Sequence, residues 1–193
     1  MVYQYFELHL GRERGAQQAV AKGVYGALGD RAVAVFAPLL GFASDQVLVL
    51  LDGEAQADTV LKGDGVISAQ RHRLTPTIRP APGAQPPAGG VYVHNWFTID
   101  ASGFDEFVKL SGDAWPDFEA RFEARIFGLF AAEALPDDLQ QGQRRLLLMT
   151  RYRDLGEWQT SRDPTTAAMK IFARRRELTR VSLARACVLM ARG

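Results

Sequence analysis

The residues with most chemical reach lie in the stretch Tyr92-Val93-His94-Asn95-Trp96-Phe97-Thr98-Ile99, an aromatic and β-branched run of strand character. Alternation along a strand sends Val91, Val93, Asn95, Phe97 and Ile99 to one face and Tyr92, His94, Trp96 and Thr98 to the other. Asn95 is then the one polar group in an apolar row. A buried carboxamide without partners costs about 1–3 kcal/mol, so Asn95 either meets a ligand or ties down a neighbouring loop backbone. On the opposite face His94 is a general base if a carboxylate orients it, and a packed, hydrogen-bonded histidine otherwise. No Asp or Glu stands near it in the sequence. In "VYQYFELHL" the residues Tyr3, Tyr5, Glu7 and His9 share a face polar enough to line a cavity. Glu7 and His9 form an acid/base pair if they converge with His94 across an interface. The candidate catalytic residues are therefore His94, His9 and Glu7, and the candidate ligand contacts on these strands are Asn95, Trp96 and Tyr5.

Other chemistries lack their signatures. The sequence contains no G-x-G-x-x-G, P-loop, G-x-S-x-G or H-E-x-x-H pattern. Its three histidines are widely spaced and Cys187 is its one cysteine, so no metal site and no internal disulfide is expected. Cys187, within "RVSLARACVLM", reads as a small apolar wall residue more readily than as a reactive thiol. Consecutive helical residues lie about 100° apart, so Arg174, Arg175 and Arg176 fan around a helix; they read as a solvated face or as partners of the acidic 105–138 region, with an anion site including Arg180 as the alternative. The chain has 23 basic and 22 acidic residues, a net charge of +1. That balance supplies no field for nucleic acid or an anionic membrane. The start "MVYQYFELHL" lacks the basic and apolar regions of a signal peptide, and no apolar run approaches the roughly 20 residues of a membrane span. These features predict a cytoplasmic protein with a small-molecule ligand, no nucleic-acid or membrane partner, and homo-oligomerisation left open.

The elements that would position these residues fall in two halves. "PAPGAQPPAGG" (80–90) has four prolines, three glycines and no charge, and reads as a surface linker between 1–79 and 91–193. In the first half a strand, "VYQYFELHL", precedes a helix whose stripe is Ala16, Ala19, Val20, Gly23, Val24, Ala27 and Leu28. "AVAVFAPLLGFA" and "VLVLLD" read as a hairpin, a helical stretch is predicted from Glu54 to Leu74 with a break near 63–65, and "TIRP" reads as a short edge strand. In the second half "VYVHNWFTI" is followed by Phe104, Phe107, Val108, Ser111 and Trp115 at helical spacing up to Pro116, where a break or kink and a restart are expected. "RIFGLFAAEAL", the loop 136–143 and "RRLLLMTRY" make a second hairpin; Asp163-Pro164 is the expected cap of "PTTAAMKIFARRREL"; "RVSLARACVLM" is the last strand. The order is β-α-β-β-α-β, twice. "GEAQ" at 53–56 and "GEWQ" at 156–159 occupy equivalent places, and the second half is about fifteen residues longer. Trp158 stands where the first half has Ala55, so its ring is particular to the second half. The expected fold is α+β, a tandem ferredoxin-like arrangement whose two sheets cover each other as an internal pseudo-dimer.

"VYVHNWFTIDASGFDEF", Val91 to Phe107, resembles the opening strand, turn and helix of the NIPSNAP family, in the dimeric α/β-barrel superfamily that includes antibiotic-biosynthesis and haem-degrading monooxygenases. Through element order the resemblance extends over 91–190 and more faintly over 3–80. It implies two ferredoxin-like units forming a barrel, with a pocket between sheet and helices in members that act on small molecules. The haem-degrading branch implies an Asn on the first strand, a Trp opening the second helical region and a His along that helix. Asn95 and Trp158 match the first two places; "TTAAMKIF" offers Met169 and no His. The resemblance therefore adds Trp158 to the ligand contacts, disfavours haem, and predicts no cofactor. Three functions follow: binding of a largely apolar ligand near Asn95 and Trp158; cofactor-independent oxygenation of an aromatic substrate, with His94 or His9 as proton acceptor; or a purely structural, oligomerising role.

Overall fold

The first strand, β1 (Tyr3–Leu10), buries every residue except the half-buried His9, so it is covered on both faces. Its odd-numbered residues Tyr3 and Tyr5 pack in one apolar cluster and its even-numbered Phe6, Leu8 and Leu10 in another. A computed structural model describes residues 1–54, 63 and 65–192 and shows what supplies the two covers. Seven further strands are β2 (Ala32–Leu40), β3 (Gln46–Asp52), β4 (Val66–Pro76), β5 (Val91–Asp100), β6 (Ala124–Ala132), β7 (Gln143–Tyr152) and β8 (Thr179–Leu189). Among the described residues there are five α-helices: α1 (Ala16–Leu28), α2 (Phe104–Arg121), α3 (Pro136–Gln140), α4 (Leu155–Thr160) and α5 (Ala167–Glu177).

All strand pairs are antiparallel, and the sheet closes in the order β1-β3-β2-β8-β5-β7-β6-β4. This is an α+β, ferredoxin-like fold. One arc runs β4-β1-β3-β2 and the other β6-β7-β5-β8, each with its first and third strands in the centre. Within the second arc β5 pairs along its whole length with β7, from Val91↔Tyr152 to Asp100↔Gln143. The seams are shorter: β2 meets β8 between Phe36↔Leu189 and Leu40↔Ala186, and β4 meets β6 between Leu74↔Ala132 and Pro76↔Phe130. Among the described residues three clusters result, one inside the barrel, one beneath α1, and one beneath α2 and α5.

The helix α1 buries a narrower stripe than its spacing suggests: Val20, Ala21, Val24 and Leu28 are buried, whereas Ala19, Gly23 and Ala27 are exposed. Pro116 does not break α2. The helix runs through it because Ala114, Trp115 and Phe118 on both sides are buried in one cluster, and that packing outweighs the missing N–H. Residues 66–74, expected to be helical, are strand: β4 pairs with β1 from Leu74↔Tyr3 to Val66↔Leu10, and the free edge of β1 overrides local preference. Residues 55–62 and 64 of that predicted helix, with the last two residues of "GEAQ", lie outside the described residues. "TIRP" follows β4 instead of forming a strand; the Thr77 hydroxyl donates to the Leu129 carbonyl. The 136–143 loop contains α3, held by the Asp138 carboxylate, which accepts from the Leu135 backbone N–H at 2.8 Å and pairs with Arg145.

The 80–90 stretch carries neither helix nor strand. It ends on Gly90 at φ +73°, where an added Cβ would overlap the Tyr152 carbonyl oxygen at the start of the β5–β7 ladder. Both the left-handed backbone and the overlap oppose a side chain. Gly90→Ala is expected to lower the free energy of unfolding by about 2 kcal/mol, measured by urea denaturation; a midpoint within error of the parent would show that this strand entry tolerates a side chain.

Candidate functional site

A cavity of about 620 Å³ lies between the outer face of β5, β7 and β8 and the helices α2, α4 and α5. Strand alternation places Val93, Asn95 and Phe97 of β5 on that face, and all three line it. Asn95 is half-buried, and its Oδ1 accepts from the Ser182 hydroxyl on β8 at 3.1 Å. Its Nδ2 has no hydrogen-bond partner among the described residues. Asn95 thus does not tie down a loop backbone; its bond crosses to the adjacent strand.

Trp158 reaches the cavity from α4, whose start is set by the Asp154 carboxylate accepting from the Glu157 backbone N–H at 2.7 Å. That bond, with the Arg153 guanidinium, holds the Asp154 carboxyl below its usual range. The Arg162 guanidinium lies 5.0 Å from the centre of the Trp158 ring. The longer helix α5 begins at Thr166, whose hydroxyl accepts from the Met169 N–H, and not at Asp163 as the sequence suggested. Asp163 instead closes a turn by accepting from the backbone and hydroxyl of Thr165. The Asp117 carboxylate of α2 accepts from the Ala168 N–H and pairs with Arg121, which docks the first turn of α5 against α2.

From this helix Met169, Phe172, Arg175 and Arg176 line the cavity. Arg175 is 9% exposed. Its guanidinium carbon lies 4.9, 5.1 and 4.4 Å from the ring centres of Phe97, Phe107 and Phe172, and its Nη1 donates to the Ser111 hydroxyl at 3.1 Å. Burial lowers its pKa to about 10, so it remains cationic at neutral pH. Among the described residues no carboxylate pairs with it. For Arg174–Arg176 the sequence offered a solvated face or partners of the acidic 105–138 region, with an anion site including Arg180 as the alternative; Arg174 does pair with Glu106, and with Glu177, whereas Arg175 is buried. The signal was present: Ala168, Phe172 and Arg175 are spaced i, i+4, i+7, so Arg175 continues the buried row.

The other candidates lie on the far side of the sheet, inside the barrel. His94 is fully buried, with Tyr5 Oη 2.9 Å from its Nδ1 and Cys187 Sγ 3.5 Å from its Nε2. The Cys187 thiol points to the Tyr92 carbonyl at 3.7 Å. With the thiol hydrogen so directed, the sulfur accepts from Nε2–H, and in that tautomer Nδ1 accepts from the Tyr5 hydroxyl, whose pKa burial pushes well above the ordinary phenol value. Burial, then the Arg185 charge, lowers the His94 pKa to about 3. Glu7 forms a two-pronged pair with Arg185 at 3.0 and 2.7 Å, and His9 Nε2 lies 2.9 Å from the Gln46 amide nitrogen. Glu7 and His9 therefore each bind another partner instead of pairing. Trp96 packs 4.8 Å from His72 and 6.1 Å from Tyr5, centre to centre.

The structure thus brings Asn95 and Trp158 to one cavity and places Tyr5, His94, Trp96 and Glu7 across the sheet from it. Among the described residues no cluster of His, Cys, Asp and Glu is suited to a metal ion, and no helix is long and apolar enough to cross a membrane. Nor does a histidine or cysteine line the cavity; its thioether, Met169, does not make the donor set of an imidazole-ligated haem.

No family model and no curated protein matches the sequence. Solved structures resemble the fold over nearly the whole chain. An anthrone oxidase-like protein superposes with a TM-score of 0.63 at 12% identity, covering 98% of this chain and 91% of that one. A ferredoxin-fold protein related to antibiotic biosynthesis monooxygenases, from Listeria monocytogenes 4b F2365, gives 0.51 at 11% identity over 98% and 95%. A haem-degrading enzyme from Listeria monocytogenes gives 0.56 at 9% identity over 97% and 99%. At these identities the likeness is one of fold.

Proposed function

We propose that this chain is a NIPSNAP-like protein of the antibiotic-biosynthesis-monooxygenase type that binds a small, largely apolar ligand between sheet and helices of its second half. The observation that carries the reading is the convergence of Asn95 and Trp158, 63 positions apart in sequence, on one cavity of about 620 Å³, a size within the range of small-molecule sites. In this reading 1–79 and 91–193 are two ferredoxin-like halves joined by 80–90 as an internal pseudo-dimer, and the matching strand order of the two arcs supports it. Asn95 supplies the polar anchor through its amide N–H groups, while Trp158, Phe172 and Met169 supply apolar contact.

An oxygenase reading is suggested by the names of the fold neighbours, an anthrone oxidase-like protein among them. A substrate in the cavity would lie across the sheet from His94, so a proton acceptor would have to come from another group. Binding is the simpler account of the geometry.

Native mass spectrometry of the purified protein tests the proposal first. A small molecule retained at one per chain is the expected result, and its mass gives its class. Asn95→Ala should then weaken that ligand about tenfold, the loss of one buried hydrogen bond, with a melting temperature within about 2 °C of the parent. Unchanged affinity together with a large fall in melting temperature would make Asn95 a structural amide and count against the site.

A further inference from the structure

The ligand site described above has an electrostatic property that the sequence offered only as an alternative, an anion site including Arg180. A guanidinium carries five N–H donors, and Arg175 uses Nη1 on the Ser111 hydroxyl. The three phenylalanine rings around it stabilise a cation but do not replace a carboxylate. A buried charge that lacks a counter-charge is costly and is ordinarily paired. Here the open side is the cavity itself, which Arg175 lines. Among the described residues no Asp or Glu lines that cavity, whereas Arg162, Arg176 and Arg180 do. Of these Arg180 pairs with Asp100; Arg162 and Arg176 form no ion pair among the described residues. The field inside is therefore positive, although the chain as a whole is nearly neutral.

We propose that the cavity binds an organic acid, with its apolar body against Trp158, Met169 and Phe172 and its carboxylate paired with the guanidinium of Arg175. This rests on the cavity being a ligand site and goes further by fixing the charge of the ligand. The planar guanidinium presents its remaining N–H groups to two carboxylate oxygens, and Asn95 and Ser182 stand on the opposite wall for a second polar group. Arg175 is here a binding residue, with no reaction assigned to it.

Two matched pairs of probes test the proposal by isothermal titration calorimetry on the full chain: 2-naphthoate against 2-naphthamide, and decanoate against decanamide. Each pair keeps the apolar body and removes the charge. In at least one pair the acid should bind about tenfold or more tightly than its amide, as a charge-assisted pair requires. Arg175→Gln should reduce the acid to the affinity of its amide and leave the amide unchanged. Arg175→Lys, which keeps the charge but loses the fork, should retain part of the preference, and it serves if the glutamine variant does not fold. Ala184→Trp, which fills the cavity, should abolish binding of both members. Equal binding of acid and amide would overturn the anion while leaving the ligand cavity standing, as would a preference that survives in both Arg175 variants. Binding that persists in Ala184→Trp, or no binding by any of the four probes, would overturn the cavity as the site and the anion with it.

Discussion

Glu7→Ala is expected to lower the free energy of unfolding by roughly 3–5 kcal/mol, the cost of leaving a buried charge without its partner. Arg185 and Glu7 have side-chain exposures of 15% and 8% and meet through two hydrogen bonds inside the barrel. Desolvating both ions costs much of what their attraction returns, so the pair adds little net stability, but its halves are unequal to the loss of each other. In Glu7→Ala the guanidinium keeps the Phe42 ring, 4.2 Å from its centre, and its Nε has no partner among the described residues. The double variant Glu7→Leu/Arg185→Met should recover most of the loss, because it removes both charges and leaves apolar volume in their place. Urea denaturation of the parent, both single variants and the double variant gives the coupling energy. Additive losses would mean that water, and not Arg185, compensates Glu7.

Acid should unfold this protein along a limb set largely by His94. Its pKa falls from an ordinary 6.5 to about 3, through burial first and the Arg185 charge second. Below pH 6.5 the unfolded chain takes up a proton that the folded imidazole refuses until about pH 3. Stability is therefore full above pH 6.5 and falls as pH drops through this window, by about 1.4 kcal/mol per unit. His72, also lowered by burial, acts in the same direction. Tyr5, Cys187 and Arg185 are the groups that face His94, and none of them offers the imidazolium a counter-charge. In His94→Gln the side-chain carbonyl can accept from Tyr5 without titrating, so the slope between pH 6.5 and 4 should flatten even if the variant is less stable at pH 8. Parallel profiles for parent and variant would assign the acid limb to other groups.

The strand alternation that predicts these effects also explains why part of the site was legible from sequence. A period of two fixes which residues share a face, so the separation of Asn95 from His94 and Trp96 followed from "YVHNWFTI" alone. The strands β1, β2, β3, β5, β6, β7 and β8 and the helices α1, α2 and α5 were likewise visible as hydrophobic patterns. Trp158 was legible as a large ring without an equivalent in the first half and, through the family resemblance, as a ligand contact. Arg175 was readable in principle, from its place in the row of Ala168 and Phe172, but a triplet of arginines has the composition of a solvated face.

What the sequence determined by itself was therefore the kind of each element and the face each side chain takes, because those depend on local backbone geometry. The tertiary structure alone decided what stands opposite. Glu7 meets Arg185 across 178 positions and Tyr5 meets His94 across 89, distances over which no periodicity carries information. It also decided β4, which becomes a strand because β1 offers an unpaired edge, and the continuity of α2 through Pro116, which the burial of Trp115 and Phe118 secures. In each case contacts remote in the chain contribute more than the local preference they oppose.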